Sequence, residues 1–349
     1  MKKYFFVASM ICILGQPLFA ESILELFNSD LVLNGDFQVR YQTEKKEADS
    51  QRHVNSQMRL RLGGEAKVSE ETTVFFGMAS GGANARSASH AFTTAFQSPD
   101  MRVDYAYAKL NQGRGLDILA GKMKQPLWMV SDLLWDWDIR PDGLFFKSFT
   151  DYKGANWFVN AGYLTMGEIV DQTGVHGANL IAIQPGFGLD IMEDINLKSA
   201  AGFMIFGSLQ GKSVSNGATV SGLNNRIDGS GNLVYRYKIL NVSSQVTIRN
   251  LGVPLTQVFS EIVLNSEPNK GNLGGFIGVR FGDKKVNEKG LWQFTGSYRY
   301  LQQDAWPDIL PDAHSYGGQT GIKGFEMIFD YGLSENVKAT LDVYMIDRL

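Results

Sequence analysis

The amino-acid sequence predicts an all-β protein, a transmembrane antiparallel up-and-down β-barrel, on three observations. Apolar and polar residues alternate with a period of two in many short runs, and the polar set includes ionised arginines. The segments joining those runs alternate between short and long. An export signal precedes them, and no apolar run approaches the ~18 residues that a membrane-spanning helix needs.

The alternation is plain at Met58, Leu60 and Leu62, which interleave with Gln57, Arg59 and Arg61. Val103, Tyr105 and Tyr107 interleave with Arg102, Asp104 and Ala106. Trp292, Phe294, Tyr298 and Tyr300 interleave with Gln293, Thr295, Ser297 and Arg299. Each run puts large apolar groups on one face of a sheet and charge on the other. A soluble sandwich points its oil inward and a membrane barrel points it at lipid, so alternation alone fits both.

Residues 1–20 read as a secretory signal. Lys2 and Lys3 supply the positive region, Tyr4 to Gly15 the short apolar segment, and Pro17, Leu18, Phe19 and Ala20 an imperfect cleavage site. The mature chain, expected from about residue 21 to 349, then reads as one domain. Its strands are expected at 31–42, 57–68, 72–80, 101–110, 115–123, 143–150, 155–166, 178–187, 195–210, 233–248, 255–265, 274–281, 291–301, 321–331 and 337–345. Short turns fall at 69–71, 111–114, 151–154, 250–254 and 333–336, and long connections at 43–55, 81–100, 124–142, 211–231 and 302–319. Outer-membrane barrels keep turns short on one side and loops long on the other, whereas a soluble sandwich has no reason to.

Fifteen strands are an odd number, and bacterial single-chain barrels close with an even one. The final Asp347-Arg348-Leu349 also lacks an aromatic last residue. The expectation is a sixteen-strand parent with its last strand missing here, leaving two edges that lipid cannot satisfy and a chain that inserts poorly.

Composition narrows the class further. The one cysteine, Cys12, lies inside the signal, which excludes cysteine chemistry and thiolate metal sites in the mature chain. A net charge of −3 disfavours nucleic acid as a partner. Hydrophobic content of 44% and a mean hydropathy of −0.13 are far from a helical membrane protein, yet fit strands of which every second residue meets lipid.

The candidate functional residues are basic side chains on the inward parity: Arg40, Arg59, Arg61, Arg102, Arg280 and Arg299, with Lys67, Arg236, Lys238, Arg249 and Lys338 continuing the series. Asp36, Glu65, Asp104, Asp117, Glu326, Asp330 and Asp342 share that face. Charge near the bilayer midplane on the lipid face costs ~2–4 kcal/mol, so these groups must look into water. They form either a solvated lumen wall or a transverse field that selects solutes by charge. The connection at 124–142 carries Trp128, Leu133, Leu134, Trp135, Trp137 and Ile139 beside Asp132, Asp136, Asp138 and Asp142. So apolar a segment must fold against something: the inside of the barrel, where its carboxylates would face the arginines, or else the rim or a trimer contact.

At this point the chain resembles the putative porin family of Gram-negative outer membranes. The resemblance rests on Gly35-Asp36-Phe37-Gln38-Val39-Arg40-Tyr41, Met58-Arg59-Leu60-Arg61-Leu62-Gly63, Asp104-Tyr105-Ala106-Tyr107-Ala108-Lys109-Leu110 and Trp135-Asp136-Trp137-Asp138-Ile139-Arg140-Pro141-Asp142-Gly143. It implies a barrel of about sixteen strands through which small hydrophilic solutes or ions diffuse passively, embedded in outer-membrane lipid after export through the periplasm. A homotrimer is compatible with that size.

Other classes find less support. A receptor or an embedded hydrolase is the alternative, but His53, His90, His176 and His314 fall in or beside connections without a nucleophile motif. No cofactor or metal is implied. Asp304, Asp308 and Asp312 form either a calcium-binding loop or, with Pro307 and Pro311, a stiff solvated acidic one. Tyr41, Tyr107, Trp157, Tyr163, Trp292, Tyr300 and Tyr331 near strand ends suggest two interfacial girdles.

Overall fold

The computed structural model describes residues 31–45, 53–93, 96, 98–171, 174–215 and 222–349; the export signal expected at 1–20 lies outside them. The strands are β1 (Leu31–Glu44), β2 (His53–Lys67), β3 (Thr72–Ser80), the two-residue β4 (His90–Ala91), β5 (Met101–Asn111), β6 (Leu116–Lys122), β7 (Asp142–Tyr152) and β8 (Ala155–Asp171). They continue as β9 (Gly174–Met192), β10 (Ile195–Gly207), β11 (Tyr237–Arg249), β12 (Leu255–Asn265), β13 (Leu273–Gly282), β14 (Trp292–Leu301), β15 (Ile322–Ser334) and β16 (Val337–Arg348). All belong to one antiparallel sheet. Fifteen follow in chain order, each bonded to the next, and β4 extends the ladder along β2.

The period-two pattern explains the register. Asp36 pairs with Arg61, Gln38 with Arg59 and Arg40 with Gln57, so one face of β1 and β2 is polar along these positions. The same face runs on through Ser243, Glu261, Phe276 and Arg299, partners in turn across β11 to β14. A one-residue slip at any ladder would swap the faces, and this fixes the pairing.

The opposite face is apolar and bare. Phe203 is 51% exposed, Ile262 58% and Phe325 55%. A contiguous band of such side chains is not stable against water and matches the hydrocarbon of a bilayer. The core lies on the polar face, where the long connections fold back and bury Leu133, Trp135, Leu209, Leu233, Trp306 and Ile309. We refer to it as the covered face.

Aromatic side chains on that face lie flat over glycines of the next strand. Tyr105 crosses Gly63 and Gly77, where an added Cβ would collide with its ring. Glycine is needed here for close approach, as it is at Gly278 beneath Phe259.

Two expected placements change. Lys238 sits on the bare-face parity at the long-loop end and pairs with Glu267 at 2.6 Å, because its neighbours Tyr237 and Ile239 take the covered positions. Tyr107 leaves the girdle for the covered face, where it stacks on Phe75 with ring centroids 4.7 Å apart. Its parity follows from its cross-strand partner Phe75.

Candidate functional site: a loop folded across the covered face

The connection from β6 to β7 makes a circuit of the covered face. The Trp128 amide donates to Gln184 Oε1 of β9 at 2.9 Å, and Gln184 Nε2 donates back to the Trp128 carbonyl at 2.9 Å. The Ser131 hydroxyl donates to Glu261 of β12. Asp132 pairs with Arg299 of β14 at 3.2 Å. Asp138 pairs with Arg61 of β2, and Arg140 Nε donates to Asp104 of β5 at 3.1 Å. The chain then enters β7.

This path requires the sheet to curl. Asp132 and Asp138 are six residues apart, which spans at most ~22 Å even when extended. Yet β14 and β2 are eleven strand steps apart along the sheet, an arc of ~53 Å at ~4.8 Å per step. Both ends of the short segment reach the wall only if the wall wraps around it.

The local sequence explains the insertion. Leu133, Leu134, Trp135 and Ile139 are buried, while the intervening aspartates find donors. Trp135 packs edge-on against Trp306 at 5.6 Å, and Trp306 against Phe206 of β10 at 5.2 Å. Asp136 accepts from the Ala313 amide at 2.9 Å and from its own loop's Asp138 amide at 2.8 Å, which ties the segment to the β14–β15 connection.

That second connection folds in as well. Asp308 accepts from the amides of Gly222, Asn224 and Asn225, Asp304 from the Arg226 amide, and Asp312 from His314 and Ser315. Arg86 donates to the carbonyls of Asp308, Pro311 and Gly318. The three aspartates are therefore neither solvated nor gathered as metal ligands; they cap backbone amides of a buried loop. Among the described residues no group of three or more His, Cys, Asp or Glu side chains could hold a metal.

Each candidate arginine lies on the covered parity, with a partner. Arg59 pairs with Asp36 at 2.7 Å, Arg40 donates to the His314 ring, and Arg102 donates to the carbonyls of Gly82 and Asn84. Arg280 donates to Thr295 and Gln257 at 3.1 and 3.3 Å. Arg299 is 1% exposed, bound to Glu326, Asp132 and, at 3.9 Å, Asp312. Thus Asp132 and Asp138 meet wall arginines, and Asp136 serves the loop-to-loop contact. Asp142 stands apart: as the first residue of β7 it pairs across the ladder with Lys122 at 3.2 Å, half-exposed. Between β1, β2, β5 and the returning leg of the loop lies a cavity of about 210 Å³, lined by Asp36, Arg61, Asp104, Tyr105, Lys124 and Arg140.

The loop groups have shifted protonation equilibria. Burial pushes the Asp138 carboxyl up, but the Arg61 guanidinium and the Ala88 amide outweigh it and hold it below the usual carboxylate range. Burial, helped by Asp138, pushes Asp136 up to about 7. Burial, helped by Asp132 and Asp136, pushes Asp312 up to about 8. Burial and the Arg40 charge push His314 down to about 4, so its ring is neutral and accepts from Arg40. The raised Asp136 and Asp312 carboxyls contribute stability to loop docking that is full below the ordinary carboxylate range and is lost as pH rises through about 7 and then about 8, whereas the lowered His314 and Asp138 contribute stability that is lost in acid. Tryptophan fluorescence of the refolded protein, titrated from about pH 5 to pH 9, should report loosening of the Trp135–Trp306 contact on the alkaline side. Asp136→Asn should flatten its lower part, and a flat titration in the parent protein would count against the coupling.

Sequence reasoning missed Arg86, Asn225 and the lysines at 109, 147 and 198. Lys109 shares the sequence parity of Val103 and reaches the covered face only because the register shifts between Val103 and Tyr105, and nothing near Arg86 in the chain marks its carbonyl partners some 220 to 230 residues away.

Comparison with known proteins agrees with the fold. The structure is similar to OprB of Pseudomonas putida, solved at high pH, at 9% identity and a TM-score of 0.60, covering 93% of this chain and 91% of that one. It is also similar to a triple mutant of the Rhodopseudomonas blastica porin, at 12% identity and a TM-score of 0.46, covering 90% and 94%. No curated protein sequence matches the chain. The family model described as putative porin matches residues 27–234 and 233–348, and the chain belongs to the putative porin family.

Proposed function

We propose that this chain is a passive diffusion channel for small hydrophilic solutes or ions across an outer membrane, reached by export through the periplasm. The 124–142 loop narrows its charged lumen, and no reaction is catalysed. One observation carries the reading: the loop crosses the covered face and binds wall residues on β9, β12, β14, β2 and β5. A segment so placed sets the width of whatever passes. The bare apolar face supplies the lipid contact, and a homotrimer would cover part of it.

Planar-bilayer conductance tests the proposal, with stepwise channels as the expected result. A second reading, a plugged barrel that acts as a receptor, draws on the burial of Trp306 and Leu233 from two further inserted connections. Folded protein without channels would favour it.

The wall arginines should set charge preference. Arg59 and Arg61 neutralise Asp36 and Asp138, so Arg59→Gln with Arg61→Gln leaves two carboxylates unopposed. The ratio of cation to anion permeability should rise by roughly twofold or more. Unchanged reversal potentials in a salt gradient would remove these residues from the lumen.

A further inference from the structure

We propose that Lys109, Lys147 and Lys198 form a station for small carboxylate anions beneath the inserted loop, toward the short-turn end of the covered face. The proposal rests on the channel reading and names the class of solute the wall attracts.

The three lysines lie on β5, β7 and β10, and their cross-strand partners share the covered parity: Leu119 for Lys109, Asn160 for Lys147 and Gly188 for Lys198. All three are half-buried. Among the described residues none makes an ion pair, whereas every candidate arginine of the wall already has a carboxylate, carbonyl, amide, hydroxyl or ring partner. The charge still free to meet a solute therefore belongs to the lysines.

Rings hold two of these ammonium groups in place. Lys198 Nζ is 4.7 Å from the centre of the Trp128 ring and 5.0 Å from that of Phe158. Lys109 Nζ is 5.8 Å from the Phe75 ring, which stacks on Tyr107. A ring face attracts a cation without neutralising it, so position is fixed and charge remains. Lys147 lies within the field of Lys109, and Lys198 within that of Lys147. Neighbouring ammonium groups repel one another along this series, and a mobile anion relieves the repulsion. Asp117, across the ladder from Lys147, and Glu65 on β2, opposite Phe75, share this parity, as do Asp151 and Asp190 nearer the turns, which accept from Asn156 and Asn196. The charge that acts on Lys198 is that of Lys147 and not of a carboxylate.

The ligand chemistry follows from the setting. Lysine is a compact point charge that meets anions without the two-pronged grip of arginine, which suits brief occupancy and release. The apolar rings beside it favour an anion with an organic body over a strongly hydrated one. Trp128 belongs to the inserted loop and is locked to Gln184, so the station lies against the underside of the narrowing itself.

Two measurements on the refolded chain test this. In bilayers under a potassium chloride gradient, the variant Lys109→Gln, Lys147→Gln, Lys198→Gln should lose anion preference, with the chloride-to-potassium permeability ratio falling about threefold or more. Benzoate should reduce the conductance of the parent protein and not of the variant. In detergent at low salt, iodide should quench the Trp128-dependent fluorescence, identified with Trp128→Phe, more than caesium does, and Lys198→Gln should abolish the difference. An unchanged permeability ratio, or equal quenching by the two ions in the parent protein, overturns the station. A parent protein without channels sinks the channel reading instead, and the quenching experiment still decides the station.

Discussion

Deleting residues 133–138 should raise single-channel conductance by at least about twofold, since a sixteen-to-eighteen-stranded barrel without an inserted loop leaves an aqueous channel. The deletion removes Leu133, Leu134 and Trp135, all buried on the covered face, together with Asp136 and Asp138. Losing those contacts costs several kcal/mol of loop packing, on the order of ~2–5 for each large side chain. The wall should tolerate this. Lys122 and Asp142 are direct cross-strand partners, so β6 and β7 pair up to the loop, and a shortened connection can still join them. The barrel strands keep their ladders, which do not depend on the loop. A second signature accompanies the first: with Asp138 gone, Arg61 is unpaired, and selectivity should move toward anions. Unchanged conductance with an intact β-sheet signal would place the loop outside the solute path. A rise that appears only after the 302–321 connection is also trimmed would assign the narrowing to both.

The strands were legible because their signal is local. Period-two alternation needs only neighbours in the chain, and the expected strand at 255–265 coincides with β12 (Leu255–Asn265). The expected strand at 178–187 fell short of β9 (Gly174–Met192) because the sheet continues past the last alternating apolar residues into a protruding hairpin. Parity located the arginines for the same reason. It failed at Lys238, where the strand begins later than its apolar pattern suggests and the neighbouring Tyr237 takes the covered side. The loops were legible only in part. Apolar content showed that 124–142 must be buried, but not that its aspartates divide their work between wall arginines and a second loop. Asp304, Asp308 and Asp312 have the spacing of a solvated or metal-binding run; Asp312 caps amides two and three residues on, but the roles of Asp304 and Asp308 depend on amides some 78 to 86 residues away. No local pattern encodes a partner so distant in the chain. Among the described residues the sheet holds fifteen long strands in chain order and the two-residue β4, sixteen in all, one more than the alternation marks.

The two edges of the sheet carry the other large effect: an appended strand of about ten residues, apolar outward and aromatic at its end, should raise the frequency of stepwise channels severalfold. Among the described residues β1 and β16 each have a ladder partner on one side only. Both run from the short-turn end toward the long-loop end, so they cannot form an antiparallel ladder with each other, and one strand of opposite direction satisfies both. The exposure of β1 fits a strand with one ladder neighbour among the described residues: Phe37, Val39 and Tyr41 are 66 to 70% exposed, against 40% for Phe329 on β15, which is flanked on both sides. Each backbone group left unpaired in hydrocarbon costs several kcal/mol, so a strand that pairs with edges of 14 and 12 residues should favour insertion. Register supplies the control. The same appended sequence shifted by one residue points its polar set at lipid and should not insert, although its composition is identical. Channels from the in-register strand alone would establish both the seam and its direction. Equal channel activity without any appended strand would mean that the two edges meet each other or another chain, and would remove the seam from the account. Channels from neither form, despite a folded sheet, would shift the assignment to a plugged barrel, because completing the wall would then have left the interior shut.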